Sequence, residues 1–229
     1  SLSVSFSKPS VIYKETPSMK GEGFEAYTMP KPCWAVIRLL IEPAPRGSGL
    51  TYRSVTSPKD MAYRYQTHVE TALPRALKQG LYNWEVTDLK VTLIGGQHHH
   101  IHTHPLDFFL ATPMAVMNGL QNTGTTLLEP MLLMRISAPE DCLGRIIGDM
   151  IAMRGTFDSP VIRGGMAHLE ARVPVATSLD YSVKLAAQTS GRGTISARFC
   201  GYQDVVLELG AVAKRRGVNP LDRAKWILA

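Results

Sequence analysis

Cysteine is scarce: the 229 residues hold three, Cys33, Cys142 and Cys200, an odd number with no CxxC spacing. A disulfide framework and a thiolate zinc site are thereby excluded. Each thiol reads as a small buried hydrophobe in a reducing compartment. No apolar run approaches the roughly 18 residues that a membrane span needs. The start of the chain also lacks the basic, apolar and cleavage segments of a secretory leader. The expectation is a cytoplasmic protein without a membrane partner. The pattern Gly-x-x-x-x-Gly-Lys-Ser/Thr is missing as well, so this chain has no loop of that kind to cradle nucleotide phosphates. Nor does any spacing of Ser, Asp or Glu single out a nucleophile with its base. No catalysis and no cofactor are expected of these residues themselves.

What is present is a globular composition. Hydrophobic residues make up 45% and charged residues 19%, well away from the range in which chains stay disordered. The length suits one or two domains. Lys and Arg number 25 against 19 Asp and Glu, a formal charge of +6, which favours a polyanionic partner, nucleic acid above all.

Residues 1–13 alternate apolar residues with serine, as a strand does, and are too short to bury themselves. A loop rich in Pro, Lys and Gly over 16–23 reads as a linker. Strand character fills 24–55, with a nearly continuous apolar run from Trp34 to Ile41, the pattern of a central strand. A helical period follows over 63–81, with Pro74 bending or shortening it. A strand spans 86–94, ended by Gly95-Gly96, and an apolar helix spans 106–120. From residue 127 the pattern predicts a strand at 131–136, a helix at 139–153, strands at 156–162 and 167–173, a helix at 179–188 and a strand at 194–199. That order is β-α-β-β-α-β. Gly164-Gly165 and Gly191-Arg192-Gly193 read as tight turns. The tail carries Lys214, Arg215 and Arg216 before a short helix. Its Trp226, Ile227 and Leu228 need an apolar surface, which we expect between the two units.

Five of the seven histidines fall in Gln97-His98-His99-His100-Ile101-His102-Thr103-His104. Three readings are open. In an extended strand, His98, His100, His102 and His104 share one face and could converge on a metal ion, which would make a metal-dependent enzyme. In an exposed loop the same rings stack on bases and gain charge near phosphate. The third reading is a solvated turn. On the second of these, the segment is exposed in the free protein and becomes ordered only on its partner.

Several stretches resemble the C-terminal part of translational GTPases of the elongation factor G superfamily. Leu127-Leu128-Glu129-Pro130, Pro139-Glu140, Ile147-Gly148-Asp149 with Arg154-Gly155, and Thr189-Ser190-Gly191-Arg192-Gly193-Thr194 fall where elongation factor G has similar residues in its domain V. Gly47-Ser48-Gly49, the run Gln79-Gly80-Leu81-Tyr82-Asn83-Trp84-Glu85-Val86-Thr87-Asp88 and the basic tail look most similar to the tetracycline-resistance ribosomal protection proteins. The resemblance implies an α+β fold. Residues 1–16 would end domain III, 17–126 form a domain IV arm of the ribosomal protein S5 domain 2-like type, 127–202 form a ferredoxin-like domain V, and 203–229 form the helical tail. It further implies a monomer that binds the ribosome at the 16S rRNA decoding centre and the large-subunit stalk base. GTP and Mg would belong to a longer parent whose GTPase domain precedes residue 1. His99 would match the tip histidine of elongation factor G, and His100-Ile101-His102 would stand where protection proteins carry a Ser-Pro-Val type sequence. The ribosome-binding residues implied are Gly47, Ser48 and Gly49, then Gln97, His98, His99, His100, Ile101, His102, Thr103 and His104, and the basic Lys214, Arg215 and Arg216. Such a chain would release tetracycline. An elongation factor G-like translocation role is the alternative.

Overall fold

The computed structural model describes residues 10–28, 32–205 and 211–229. Two compact units emerge: Tyr13–Leu128 with Asp204–Ala229, and Ser1–Ile12 with Glu129–Gln203.

In the first unit, β1 (Lys14–Pro17) is followed by β2 (Gly21–Thr28), β3 (Trp34–Pro43), β4 (Leu50–Ser54), α1 (Tyr63–Ala76), β5 (Glu85–Val86), β6 (Leu89–His98) and α2 (Pro105–Thr123). A four-stranded sheet runs in the order β2-β3-β6-β4, with β4 parallel to β6 and the other neighbours antiparallel. Alternation along β3 explains the long apolar run read there. Ala35, Ile37, Leu39 and Ile41 are fully buried, whereas Arg38 is exposed. The inward residues pack with Leu73 of α1 and Phe108 and Leu120 of α2 in one core.

The residues read as a linker are strand instead. Pro17 ends β1, and Gly21 and Gly23 lie within β2. A Cβ on Gly23 would collide with the Ala115 carbonyl and lie 2.8 Å from the Gly119 nitrogen. Glycine is there because helix α2 crosses the strand closely, not because the chain turns. Likewise Gly95-Gly96 does not end β6, which continues to His98 past a bulge opposite Arg38 and Leu39.

β7 (Thr125–Pro139) passes from the first unit into the second. The junction expected at 126–127 therefore lies inside a strand, and β1, read as the end of a preceding domain, pairs with β5 and with residues 125–128 of β7. The expected strand over 1–13 falls almost wholly outside the described residues.

The second unit continues through a 3-10 turn (Glu140–Cys142), α3 (Leu143–Ala152), β8 (Thr156–Phe157), β9 (Val161–Arg163), β10 (Met166–Pro174), α4 (Val175–Ser178), α5 (Tyr181–Gln188) and β11 (Thr194–Asp204). The predicted strand at 156–162 is split in two, both halves pairing with β10. Strand order β11-β7-β10-β8 is that of the ferredoxin-like β-α-β-β-α-β fold. Met134, Ile136, Ile146, Met150, Leu169 and Leu185 form its core. Gly164 and Gly165, both with positive φ, make the two-residue β9–β10 turn. Buried Glu129 receives a bidentate pair from Arg154, both contacts 2.9 Å.

The end of the tail packs on the first unit. Trp226 and Ile227 of α6 (Arg223–Leu228) lie against its core, and Trp226 Nε1 donates to the Leu110 carbonyl at 2.9 Å.

Candidate functional site

The histidine segment joins β6 to α2. After His98 the chain leaves the strand, turns through residues 100–102 and enters α2 at Pro105. The helix start is fixed from both sides: the buried Asp107 carboxylate accepts from the His104 backbone N–H at 2.8 Å and from the Trp34 N–H at 3.0 Å. A carboxylate in the first turn also suits the positive end of the helix.

Each histidine has a different task. His98 donates its backbone N–H, and Nδ1–H as well, to the Asp60 carbonyl at 3.3 and 3.1 Å, while its ring sits 5.2 Å from that of Tyr65. His99 turns inward: its Nδ1 accepts from the backbone N–H groups of Ile101 and His102, both at 3.2 Å. Its own N–H donates to Thr103 Oγ1 at 2.7 Å, and that hydroxyl donates to the Trp34 carbonyl at 2.6 Å. A ring that accepts at Nδ1 carries its proton on Nε2. His102 stacks on His99 at 4.4 Å, and Trp34 flanks His99 at 5.7 Å. His100, Ile101, His102 and His104 are exposed, Ile101 by 76%.

The segment forms a hydrogen-bonded turn. The convergence that a metal site would need is not formed. The strand ends at His98, so the i, i+2, i+4 spacing does not put the rings on one face, and the Nδ1 atoms of His98 and His99 are engaged by the backbone. Among the described residues no three His, Cys, Asp or Glu side chains are grouped to hold a metal ion.

The other expected site residues lie elsewhere. Gly47 and Gly49, both with positive φ, form an exposed turn with Ser48. It is tied to the start of β6 by Gly49 N–H to Asp88 at 3.0 Å and Leu89 N–H to Gly49 O at 3.0 Å. Tail residues 211–216 bind the loop before β5: Asn83 Nδ2 donates to the Ala213 carbonyl and the Ala213 N–H to the Tyr82 carbonyl, Gln79 exchanges two 2.8 Å bonds with Arg216, and Trp84 Nε1 reaches Ala211 O. Both groups are near the start of β6, and the histidine turn is at its end, ten residues or roughly 30 Å away. The expected residues thus lie at opposite ends of β6.

Arg215 is placed differently from its two basic neighbours. Its guanidinium points inward to Asn83 Oδ1 at 3.1 Å and Gly80 O at 3.4 Å, and its buried Nε has no hydrogen-bond partner among the described residues. Burial pushes the guanidinium below its ordinary range, and nearby Glu15 offsets this in part. Only Lys214 and Arg216 of the basic trio are exposed. Sequence reasoning missed Trp34, Asp60 and Tyr65, which shape the turn from up to 69 positions away. The aromatic and acidic residues were visible, but their pairing with the histidines depends on the fold.

Residues 9–124 match the family model described as elongation factor G, domain IV, and residues 126–211 match the one described as elongation factor G C-terminus. The chain belongs to the elongation factor G family. It is 37% identical, over 99% of its length, to the tetracycline resistance protein TetP of Clostridium perfringens, of which it spans 35%. A solved protein of Thermus thermophilus superposes with a TM-score of 0.78 over 90% of the chain and 31% of that protein, at 26% identity. The domain IV match coincides with most of the first unit, and the histidine turn is its β6–α2 connection. Among the described residues no helix is long and apolar enough to cross a membrane.

Proposed function

We propose that this chain is the ribosome-binding portion of a translational GTPase of the ribosomal protection type. The histidine turn enters the small-subunit decoding centre, contacts 16S rRNA there and releases tetracycline. The second unit rests near the large-subunit stalk base, and GTP with Mg serves a GTPase domain elsewhere in the parent. The likeness to TetP across 99% of the chain carries this reading. The turn supports it physically: a preorganised connection that presents exposed rings loses little entropy on docking, and histidine rings stack on unpaired bases.

The family models favour a second reading, translocation of the elongation factor G kind, through the same surface. One experiment separates the two. This chain is exchanged for the matching segment of TetP, and cells carrying the chimera are grown in tetracycline. Tolerance well above that of cells carrying a TetP truncated before the segment is the expected result. A chimera that is expressed and binds ribosomes yet gives no tolerance would favour translocation.

A further inference from the structure

Among the described residues, the four-stranded sheet of the first unit has its helices on one face only. Strand registers fix the other face row by row. Ala26, Val36 and Gln97 lie abreast, then Phe24, Arg38 and Gly95, then Glu22, Leu40, Thr92 and Arg53, then Glu42, Lys90 and Thr51. This face leads to the histidine turn, since Trp34 continues the β3 row beyond Val36 and flanks His99.

We propose that this open sheet face is a second RNA-docking surface, continuous with the turn; the proposal rests on the ribosome-binding reading given above. Three observations carry it. First, charge: Glu22 is bridged by Arg38 at 3.7 Å, and Glu42 is shared by Lys20 at 3.7 Å and Lys90 at 3.5 Å. Arg53 meets only the Thr92 hydroxyl, at 3.4 Å, and has no carboxylate within bridging distance among the described residues. The face is net positive, complementary to a phosphate backbone.

Second, ring chemistry: Phe24 is 45% exposed, with the Arg38 guanidinium 5.5 Å from its ring centre. An aromatic face beside arginine on an open sheet is a platform for bases. Third, Gly95 leaves the middle of a central strand bare. A Cβ there would meet only Arg38 Cβ, at an ordinary 3.7 Å. The protein's own packing does not need glycine at this place. Its neighbour Gly96 is different, because a Cβ there would lie 2.6 Å from Met61 Sδ and 2.9 Å from the Val36 carbonyl. The groove at Gly95 therefore admits a backbone close to the sheet.

The test uses the 229-residue chain and purified bacterial small ribosomal subunits, read by co-sedimentation at several salt concentrations and by hydroxyl-radical footprinting of the RNA. R38Q/R53Q removes two cations without reversing charge. G95T fills the groove with a residue that strands favour. Both variants keep the thermal midpoint of the parent. The expected results are binding weakened about tenfold or more by each, a salt slope shallower by about 1.5 for R38Q/R53Q, and loss of a set of RNA protections that H100A/H102A retains. Unchanged binding and footprint in both variants overturn the proposal, as does a contact that maps to ribosomal protein alone. A wild-type chain that neither sediments with subunits nor protects RNA overturns the ribosome-binding reading itself.

Discussion

His99 and His100 are neighbours with opposite assignments. The His99 ring caps two backbone N–H groups of the turn, whereas the His100 ring is exposed. Replacing His99 by alanine leaves those N–H groups to water, so amide exchange at Ile101 and His102 accelerates while the global midpoint changes little. H100A/H102A keeps these amides protected and weakens ribosome binding at least about tenfold, roughly 1.4 kcal/mol. Equal exchange in the two variants would contradict the division of labour. Glu15 is the other residue with a distinct physical role. It is fully buried, accepting from Tyr82 and Trp84 N–H at 3.0 and 2.9 Å and from the Thr125 hydroxyl at 2.8 Å. Burial raises its pKa above 4.5, and those hydrogen bonds only partly oppose the shift. The native state thus binds the proton more tightly than the unfolded chain, so this residue's contribution is fully present below about pH 4.5 and is lost as pH rises through the folded pKa. Urea midpoints of E15Q should fall less than those of the parent between acid and neutral pH. Parallel profiles would show that Glu15 is not the group responsible.

Among elements, the tail strap is the clearest case of sequence chemistry finding its surface. Trp226 combines an indole hydrogen bond to Leu110 of α2 with packing against the core. W226A should lower stability by about 2 kcal/mol, somewhat less than for a fully buried tryptophan. A lower urea midpoint at unchanged m-value is the reading expected, since neither end state would change its exposed area much. The apolar end of the tail announced that need in the sequence, but nothing local said which unit would meet it. The same divide runs through the other elements. Alternation in β3, the period of α1 and the six elements of the ferredoxin-like unit follow from local pattern and were legible. Gly21, Gly23, Gly95 and Gly96 were misread as punctuation: Gly21 and Gly23 are crowded by α2, Gly96 by Met61 and the Val36 carbonyl, and Gly95 lies within a paired strand, yet each looks in the sequence like a glycine required by a turn. The position of the histidine segment was legible too. Its internal order was not, since Thr103 and Trp34 meet only after β3 and β6 have paired.

For the whole molecule, the +6 charge is distributed in a way that makes binding separable into parts. The exposed tail cations Lys214 and Arg216 flank the loop at the start of β6, whereas the turn at its end presents imidazoles. Neutral rings that stack on bases release no counterions, but each lysine or arginine that meets a phosphate does. H100A/H102A should therefore displace the plot of log K against log salt downward without tilting it at neutral pH. Replacing Lys214 and Arg216 by alanine should make the plot shallower by about 1.4 to 1.8 if both meet phosphates. The two pairs of substitutions share no contact and lie some ten strand residues apart, so their effects on log K should add in the quadruple variant. Co-sedimentation with ribosomes at four or five salt concentrations measures all of this. A tilt produced by the histidine pair would mean that the rings bind as imidazolium cations against phosphate, and the stacking account of the turn would then be wrong.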